Sequence, residues 1–209
     1  DHRLFGNDVR HLQVEAYRTK DAIVDYWREK TDGQRPNVRI TNPEMRINIH
    51  IAANDVTISL DSSGESLHRR GYRQEAVEAP LNEVLAAGIV KLTGWKYDCD
   101  FVDPMCGSGT LPIEAALWAR NIAPGVYRQD YAFMHWPDFD DDLWQSIYDD
   151  DSNERDFNHH IYGYDINHNA VQIACNNVKA AGMGDIVAVE QGDFADYRYN
   201  EKEAFVCMN

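Results

Sequence analysis

Residues 101–117 constrain the fold most tightly: Phe101-Val-Asp-Pro-Met-Cys-Gly-Ser-Gly-Thr110 is followed by Leu-Pro-Ile-Glu-Ala-Ala-Leu117. That order predicts a short buried strand, a glycine turn carrying an acid, and a helix. Gly107 and Gly109 have no Cβ, so the turn can take unusual dihedrals and bring its N–H groups close to a ligand at a helix N-terminus. The combination is a nucleotide-type cradle. Downstream, Gly163-Tyr-Asp165 and Gly192-Asp193 each set an acid near a glycine, after the strand-forming stretches Ile161-Tyr162 and Val187-Ala-Val-Glu190. Three acids, Asp103, Asp165 and Asp193, are therefore expected at successive strand ends. In an open parallel sheet, ligands bind at that carboxyl edge.

The turn is not a dinucleotide fingerprint. Gly107-Ser-Gly109-Thr-Leu-Pro112 puts proline at the third glycine position, and Asp165 lies far beyond the usual ~20 residues. With its three acids the pattern instead resembles the Class I S-adenosylmethionine-dependent methyltransferases, whose first motif is an acid followed by Gly-x-Gly. Four stretches narrow the resemblance: Asp103-Pro-Met-Cys-Gly-Ser-Gly-Thr110, Arg120-Asn-Ile-Ala-Pro124, Leu67-His-Arg-Arg-Gly-Tyr-Arg73 and Ala79-Pro-Leu-Asn-Glu83. Together they are similar to the THUMP-containing RNA guanine-N2 methyltransferases that act on bacterial large-subunit (23S) ribosomal RNA. The resemblance covers most of the chain. It implies an α/β, Rossmann-like Class I methyltransferase fold, present in its N-terminal part, preceded by part of an α+β THUMP domain. It further implies S-adenosylmethionine as cofactor, ribosomal RNA as substrate, and in some members fusion to a second methyltransferase module. A tRNA guanine-N2 methyltransferase is the near alternative, amino-methylation of adenine a more distant one, and a noncatalytic RNA- or cofactor-binding fragment the reading from another class.

With 44% hydrophobic residues in 209, the chain can bury a core for one domain and part of another. No apolar run reaches the ~20 residues that span a bilayer, and no charged, apolar, cleavable leader opens the chain. Cys99, Cys106, Cys175 and Cys207 are scattered, with no Cys-x-x-Cys or metal-ligand spacing to histidine. A soluble cytoplasmic protein with reduced thiols and no metal site is expected. The formal charge of −15 is unevenly spread: residues 1–97 hold 14 basic and 14 acidic side chains, residues 98–209 hold 6 and 21. Much of the excess lies in an insertion at about 125–158, where Asp138-Phe-Asp-Asp-Asp142, Asp149-Asp-Asp151, Glu154 and Asp156 surround Arg155. A solvated surface is the reading adopted, over metal binding or protein docking, because like charges repel and stay in water. RNA would then be held elsewhere, since it needs local positive potential rather than a positive total.

Residues 1–65 are expected to be the C-terminal part of the THUMP-like domain, 66–80 a linker, and 81–209 the start of the methyltransferase domain. Thr19 caps a predicted helix to about Lys30, with Ala22, Ile23, Tyr26 and Trp27 on one side and Gly33 as its stop. Ile47, Ile49 and Ile51, then Val56, Ile58 and Leu60, alternate as a half-buried hairpin. No initiator methionine opens the chain and its first residues carry no clear element, so upstream sequence is expected to have been removed. The linker holds Arg69, Arg70 and Arg73 around Gly71-Tyr72, and two readings fit it. As an RNA contact, the guanidinium groups pair with phosphates and Tyr72 stacks on a base. As an interdomain strap, the arginines pair with Glu65, Glu75 or Glu78. Pro80 then opens a helix whose Leu81, Val84, Leu85, Ile89 and Leu92 face inward before Gly94.

The resemblance assigns cofactor roles. Pro80, Asn82 and Glu83 would flank its methionine end, while Asp103 receives the charged amino end and the amides around Pro104, Met105, Cys106, Gly107, Ser108 and Gly109 line its path. Asp165 would accept from both ribose hydroxyls, unless it caps the helix over 170–181, a role Asn167 can fill. Ile166 adds an apolar contact. Asp193 would accept from the adenine amino group with Phe194 against the ring, unless Phe194 is a core residue beside a surface turn. Cys106 is small packing rather than a nucleophile, because N-methylation needs no covalent enzyme intermediate. Finally, Glu203-Ala-Phe-Val-Cys-Met-Asn209 reads as a strand ending where the family carries Asn-Pro-Pro-aromatic. Asn209 is thus the catalytic candidate, accepting from the target amine and aiming its lone pair at the methyl group. Strands and helices completing a seven-stranded sheet do not follow it here, so little turnover is expected of these residues by themselves.

Overall fold

The chain divides into two units, residues 1–64 and 65–209. The computed structural model describes residues 9–39, 43, 45–53, 55–196, 198 and 203–209, with side chains from residue 14 onward.

In the first unit, helix α1 (Val9–Lys30) precedes an antiparallel hairpin of β1 (Ile47–Ala52) and β2 (Asp55–Leu60). The register pairs Ile47 with Leu60, Ile49 with Ile58 and Ile51 with Val56, so the alternating apolar residues share a face. Exposure differs from expectation: of the six, only Ile49 is half-buried. The helix also differs. It begins at Val9, and Thr19 lies inside it with its hydroxyl donating to the Glu15 carbonyl at 2.9 Å. Threonine can bond back to the preceding turn, so a cap-type residue is tolerated in mid-helix. Among the described side chains of this helix Val24 is the buried one, while Ala22, Ile23, Tyr26 and Trp27 are exposed. The stop stands as expected, with Gly33 at φ 86° and its N–H donating to the Arg28 carbonyl. Residues 1–8, also expected to carry no element, lie outside the described residues.

In the second unit four parallel strands run in the order β5-β4-β3-β6: β3 (Asp100–Asp103), β4 (Ile161–Asp165), β5 (Val187–Gln191) and β6 (Ala204–Val206). Between β3 and β4 come α3 (Thr110–Arg120) and α4 (Asp141–Tyr148), and α5 (His168–Ala180) links β4 to β5. Successive strands run outward from β3, and the chain then returns to place β6 on the other side of β3. That reversal makes a switch point at the carboxyl ends of β3 and β6. Phe101, Val102, Ile113 and Ile161 are fully buried at the centre of the core, where Phe101 and Phe157 ring Trp95.

Helix α2 (Glu83–Thr93) starts later than expected and buries only part of the expected face: Leu81 and Ile89 pack against the core. Asn82 caps it, accepting from the Val84 and Leu85 N–H groups at 3.0 and 3.1 Å, and Gly94 ends it in the left-handed conformation. Its buried residues are Glu83, Ala86 and Val90, whereas Val84, Leu85 and Leu92 are exposed. Glu83 lies on the buried 83/86/90 stripe with its carboxylate matched by Arg73 at 2.8 Å, so an acid can sit there among apolar neighbours.

Residues 66–80 belong to the second unit and are fastened along it. Tyr72 is fully buried, its hydroxyl donating to Glu114 of α3 at 3.0 Å. Arg70 reaches the same carboxylate at 3.4 Å, and Arg73 is held by Glu83. These three are corrected from the RNA-contact reading: a buried ring cannot stack on a base, and guanidinium groups held by buried carboxylates are already matched in charge. Arg69 differs, lying exposed with Glu65. The strap reading had named Glu65, Glu75 or Glu78 as partners; Glu114 and Glu83 take Arg70 and Arg73 instead.

The acidic insertion has an aromatic interior. Tyr131, Phe133, Phe139, Trp144 and Tyr148 contact one another, while Asp141 and Asp142 are exposed in the first turn of α4, where its dipole favours them. Arg155 anchors the segment by donating to the Trp118 and Ala119 carbonyls at the end of α3. Among the described residues no acidic or thiol cluster suits a metal ion, and no helix is long and apolar enough to cross a membrane.

Removing the Tyr72 hydroxyl takes a donor from a carboxylate that burial already pushes upward in pKa. Tyr72→Phe is expected to lower stability by about 1–2 kcal/mol in a urea titration. A change within a few tenths would show that the strap is not tied through this bond.

Candidate functional site

The site begins where β3 stops. Asp103, nearly fully buried, turns the chain by accepting from the Met105 N–H at 3.1 Å. The turn is then tied to β4: the Cys106 N–H donates to the Tyr164 carbonyl at 2.8 Å and the Gly107 N–H to an Asp165 carboxylate oxygen at 3.0 Å. Gly109 closes it at φ 81°, and a Cβ there would meet the Ala174 methyl of α5 at 3.1 Å. Pro104 is fully buried beneath the turn and shapes it rather than lining a surface.

Asp165 takes the predicted strand-end position, and its other oxygen accepts from the Asn167 N–H at 2.9 Å. Asn167, not Asp165, caps α5. Each Asp165 oxygen therefore holds one fixed backbone donor and keeps one acceptor lone pair, a forked acceptor aimed by the backbone. Ile166 beside it is exposed, and Gln191 at the end of β5 donates to the Ile166 carbonyl at 3.1 Å. Asp193 accepts from the Ala195 N–H at 2.8 Å. Phe194 is 51% exposed, which removes the core-residue reading and leaves its ring face open.

A cavity of ~140 Å³ opens at the switch point. It brings together Asp103, Met105, Cys106, Gly107 and Ser108 of the turn, Pro80 of the strap, and Asn209 just past β6, residues up to 129 positions apart. Two predicted flanking residues are corrected. Asn82 spends its side chain capping α2, Glu83 is buried against Arg73, and neither lines the cavity. Asp165, Ile166, Asp193 and Phe194 lie along the neighbouring strand ends, outside that cavity.

The electrostatics centre on a buried carboxyl group. Burial pushes the Asp103 carboxyl up to about 7, with the Asp165 charge adding to it and the Met105 N–H opposing it. None of the ion pairs among the described residues involves Asp103. Burial also raises the Cys106 thiol well above its ordinary range, which suits packing and not nucleophilic attack. The sequence reading gave Arg73 another role and did not single out Asn177. Arg73 donates to Ser108 and Thr110 of the turn, and Asn177 of α5 donates to the Ser108 carbonyl. The legible signal was Asn177 itself, a polar residue on the α5 stripe Ala170, Ala174 and Val178 that packs inward.

Because its folded pKa exceeds the ordinary carboxyl value, Asp103 stays protonated in the fold at pH values where the unfolded chain has released that proton. Its contribution is lost as pH rises from about 4 to about 7 and is constant above. Asp103→Asn should therefore be near neutral at pH 4 and stabilising by roughly 1–3 kcal/mol at pH 8, in paired urea titrations. An equal effect at both pH values would contradict a buried, unpaired carboxylate.

Residues 70–208 match the family model described as an RMKL-like methyltransferase domain, and residues 5–61 match the THUMP domain. Among curated relatives, the ribosomal RNA large subunit methyltransferase K/L of Marinomonas sp. is 40% identical over 202 residues, covering 93% of this chain and 28% of that protein. The protein of the same name from Methylococcus capsulatus is 39% identical over 209 residues, covering 96% and 28%. The chain thus spans little more than a quarter of these relatives. Among solved structures, a methyltransferase complexed with SAH superposes with a TM-score of 0.78 at 36% identity, covering 91% of this chain and 50% of the other. A Listeria monocytogenes protein described as an N6-adenine-specific DNA methylase gives 0.79 at 34% identity, covering 90% and 50%.

Proposed function

The chain belongs to the RMKL-like methyltransferase domain family, and on that premise we propose that its second unit binds S-adenosylmethionine for methyl transfer to the exocyclic N2 amine of a guanine in large-subunit ribosomal RNA. The first unit, a THUMP domain, contributes RNA binding. The observation that carries the reading is the cavity in which the glycine turn, the buried Asp103 and Asn209 meet.

The residues present fit the cofactor end to end. Asp103 offers a desolvated carboxylate to its ammonium group, the forked acceptor of Asp165 suits a ribose diol, and Asp193 with the open Phe194 face suits an adenine. Bound there, the cofactor supplies a methyl group on a sulfonium. Asn209 then acts on the substrate: its side-chain carbonyl accepts from the target N–H and holds the nitrogen lone pair toward the methyl carbon. Asn209 lines the same cavity as Asp103, which supports an amine and a methyl donor meeting there. The dominant contribution is positioning, with the amine proton leaving to water after transfer. Arg69, in an exposed pair with Glu65, is the strap arginine that can exchange a solvated partner for a phosphate. The curated relatives extend well beyond the matched region, which leaves room for a second methyltransferase module.

Calorimetric titration with S-adenosylmethionine checks the cofactor reading. Since binding a cation requires Asp103 ionised, affinity should rise about tenfold per pH unit up to about 7 and level off above. Asp165→Ala should lose saturable binding, and a folded wild type without binding would refute the assignment. For the substrate, the full-length protein should transfer labelled methyl to 23S ribosomal RNA, with Asn209→Ala lowering kcat at least 100-fold and leaving cofactor affinity within about twofold. Label appearing on transfer RNA instead would move the assignment to the tRNA class.

A further inference from the structure

Arg73 sits on the strap, outside every motif that touches the cavity, yet its guanidinium makes four directed hydrogen bonds. It donates to Glu83 at 2.8 Å, the Leu81 carbonyl at 3.0 Å, the Ser108 hydroxyl at 3.0 Å and the Thr110 hydroxyl at 2.9 Å. Leu81, Ser108 and Thr110 all line the cavity. A second bracket lies across the same residue. Asn177, 1% exposed, accepts from the Gln74 and Glu75 N–H groups at 2.9 and 3.4 Å and donates to the Glu75 and Ser108 carbonyls at 3.1 and 3.0 Å. Ser108 is thus gripped at its hydroxyl by the strap and at its carbonyl by α5, and the two grips converge on strap residues 73–75.

We propose that Arg73 and Asn177 are positioning residues that fix the cofactor turn in its binding geometry by tying Ser108 and Thr110 to the strap and to α5. The inference rests on the cofactor reading of the cavity. Its physical basis is that the turn's own bonds run to β4 through Cys106 and Gly107, which leaves Ser108 and Thr110 at the helix entrance to be held from outside. A planar fork with five donors can serve a carboxylate, a carbonyl and two hydroxyls at once, whereas an ammonium presents three donors on a flexible stem. The buried Glu83 neutralises the guanidinium, so the clamp can be charged without repelling a cationic ligand.

The test uses Arg73→Lys, Asn177→Ser and Ser108→Ala, with Arg120→Gln as the control because Arg120 pairs with Asp185 on the surface, away from the turn. S-adenosylhomocysteine affinity is measured by calorimetry on the folded fraction, alongside amide hydrogen exchange. The expected result is an affinity loss of at least tenfold in Arg73→Lys and Asn177→Ser and a smaller loss in Ser108→Ala. Amides 105–110 should exchange faster while those of β4 are unchanged, and the control should bind as wild type. Lower melting temperature with unchanged affinity and exchange would overturn the proposal and leave Arg73 a stability residue. Should the first two variants not fold, Ser108→Ala decides, since it removes only the end of the clamp at the turn: wild-type affinity and exchange would overturn the proposal. A wild type that binds nothing would overturn the cofactor reading itself, an outcome distinct from a wild type that binds and variants that match it.

Discussion

The second unit depends on the closeness of one turn to its neighbours. The segment 105–109 bonds β4 through two backbone N–H groups, and Gly163 of β4 has no room for a side chain, since a Cβ would stand 3.0 Å from the Cys106 sulfur. Gly109 meets α5 as tightly. With no side chains between them, β3, β4 and α5 converge on a single bend, and the acids that end β3 and β4 lie at the same edge. Strand order does the rest, bringing β6 back beside β3 so that Asn209 arrives at the place the turn has made.

This convergence sets stability against function at Asp103. A carboxylate buried beside a second carboxylate, with one backbone donor and no cation, is unfavourable for the fold and favourable for an incoming ammonium group. The surrounding structure bears that strain. Arg73, Glu83, Asn177 and the Tyr72–Glu114 pair are all satisfied and largely buried around it, so the unmatched charge is held in a frame of matched ones.

Much of this was legible in the residues, for a local reason. Strand, glycine turn and helix follow one another within residues 100–120, and glycine with an acid is a pattern confined to a few positions, so Asp103, Asp165 and the bend could be placed without tertiary knowledge. The hairpin was legible by its alternation. What escaped was set by partners far along the chain. Arg70, Tyr72 and Arg73 have the composition of an RNA contact, and nothing local reveals that Glu114 and Glu83 take them inward across 44, 42 and 10 positions. The face of α2 is legible only in part: apolar periodicity places Leu81 and Ile89 against the core, but it also points to Leu85 and Leu92, which are exposed, and gives no sign that Glu83 is buried against Arg73. Thr19 shows the limit of cap chemistry, since a hydroxyl serves equally well inside a helix when it bonds the preceding turn.

The proposed function requires one ligand to lie along the carboxyl edge with its charged amino end at Asp103 and its ribose at Asp165. A crystal structure of the chain with S-adenosylhomocysteine tests it most directly. The amino acid end is expected in the cavity between the turn and Asn209, both ribose hydroxyls within hydrogen-bond distance of Asp165, and the adenine against Phe194. The same ligand seated elsewhere, or reversed so that adenine fills the Asp103 cavity, would contradict it.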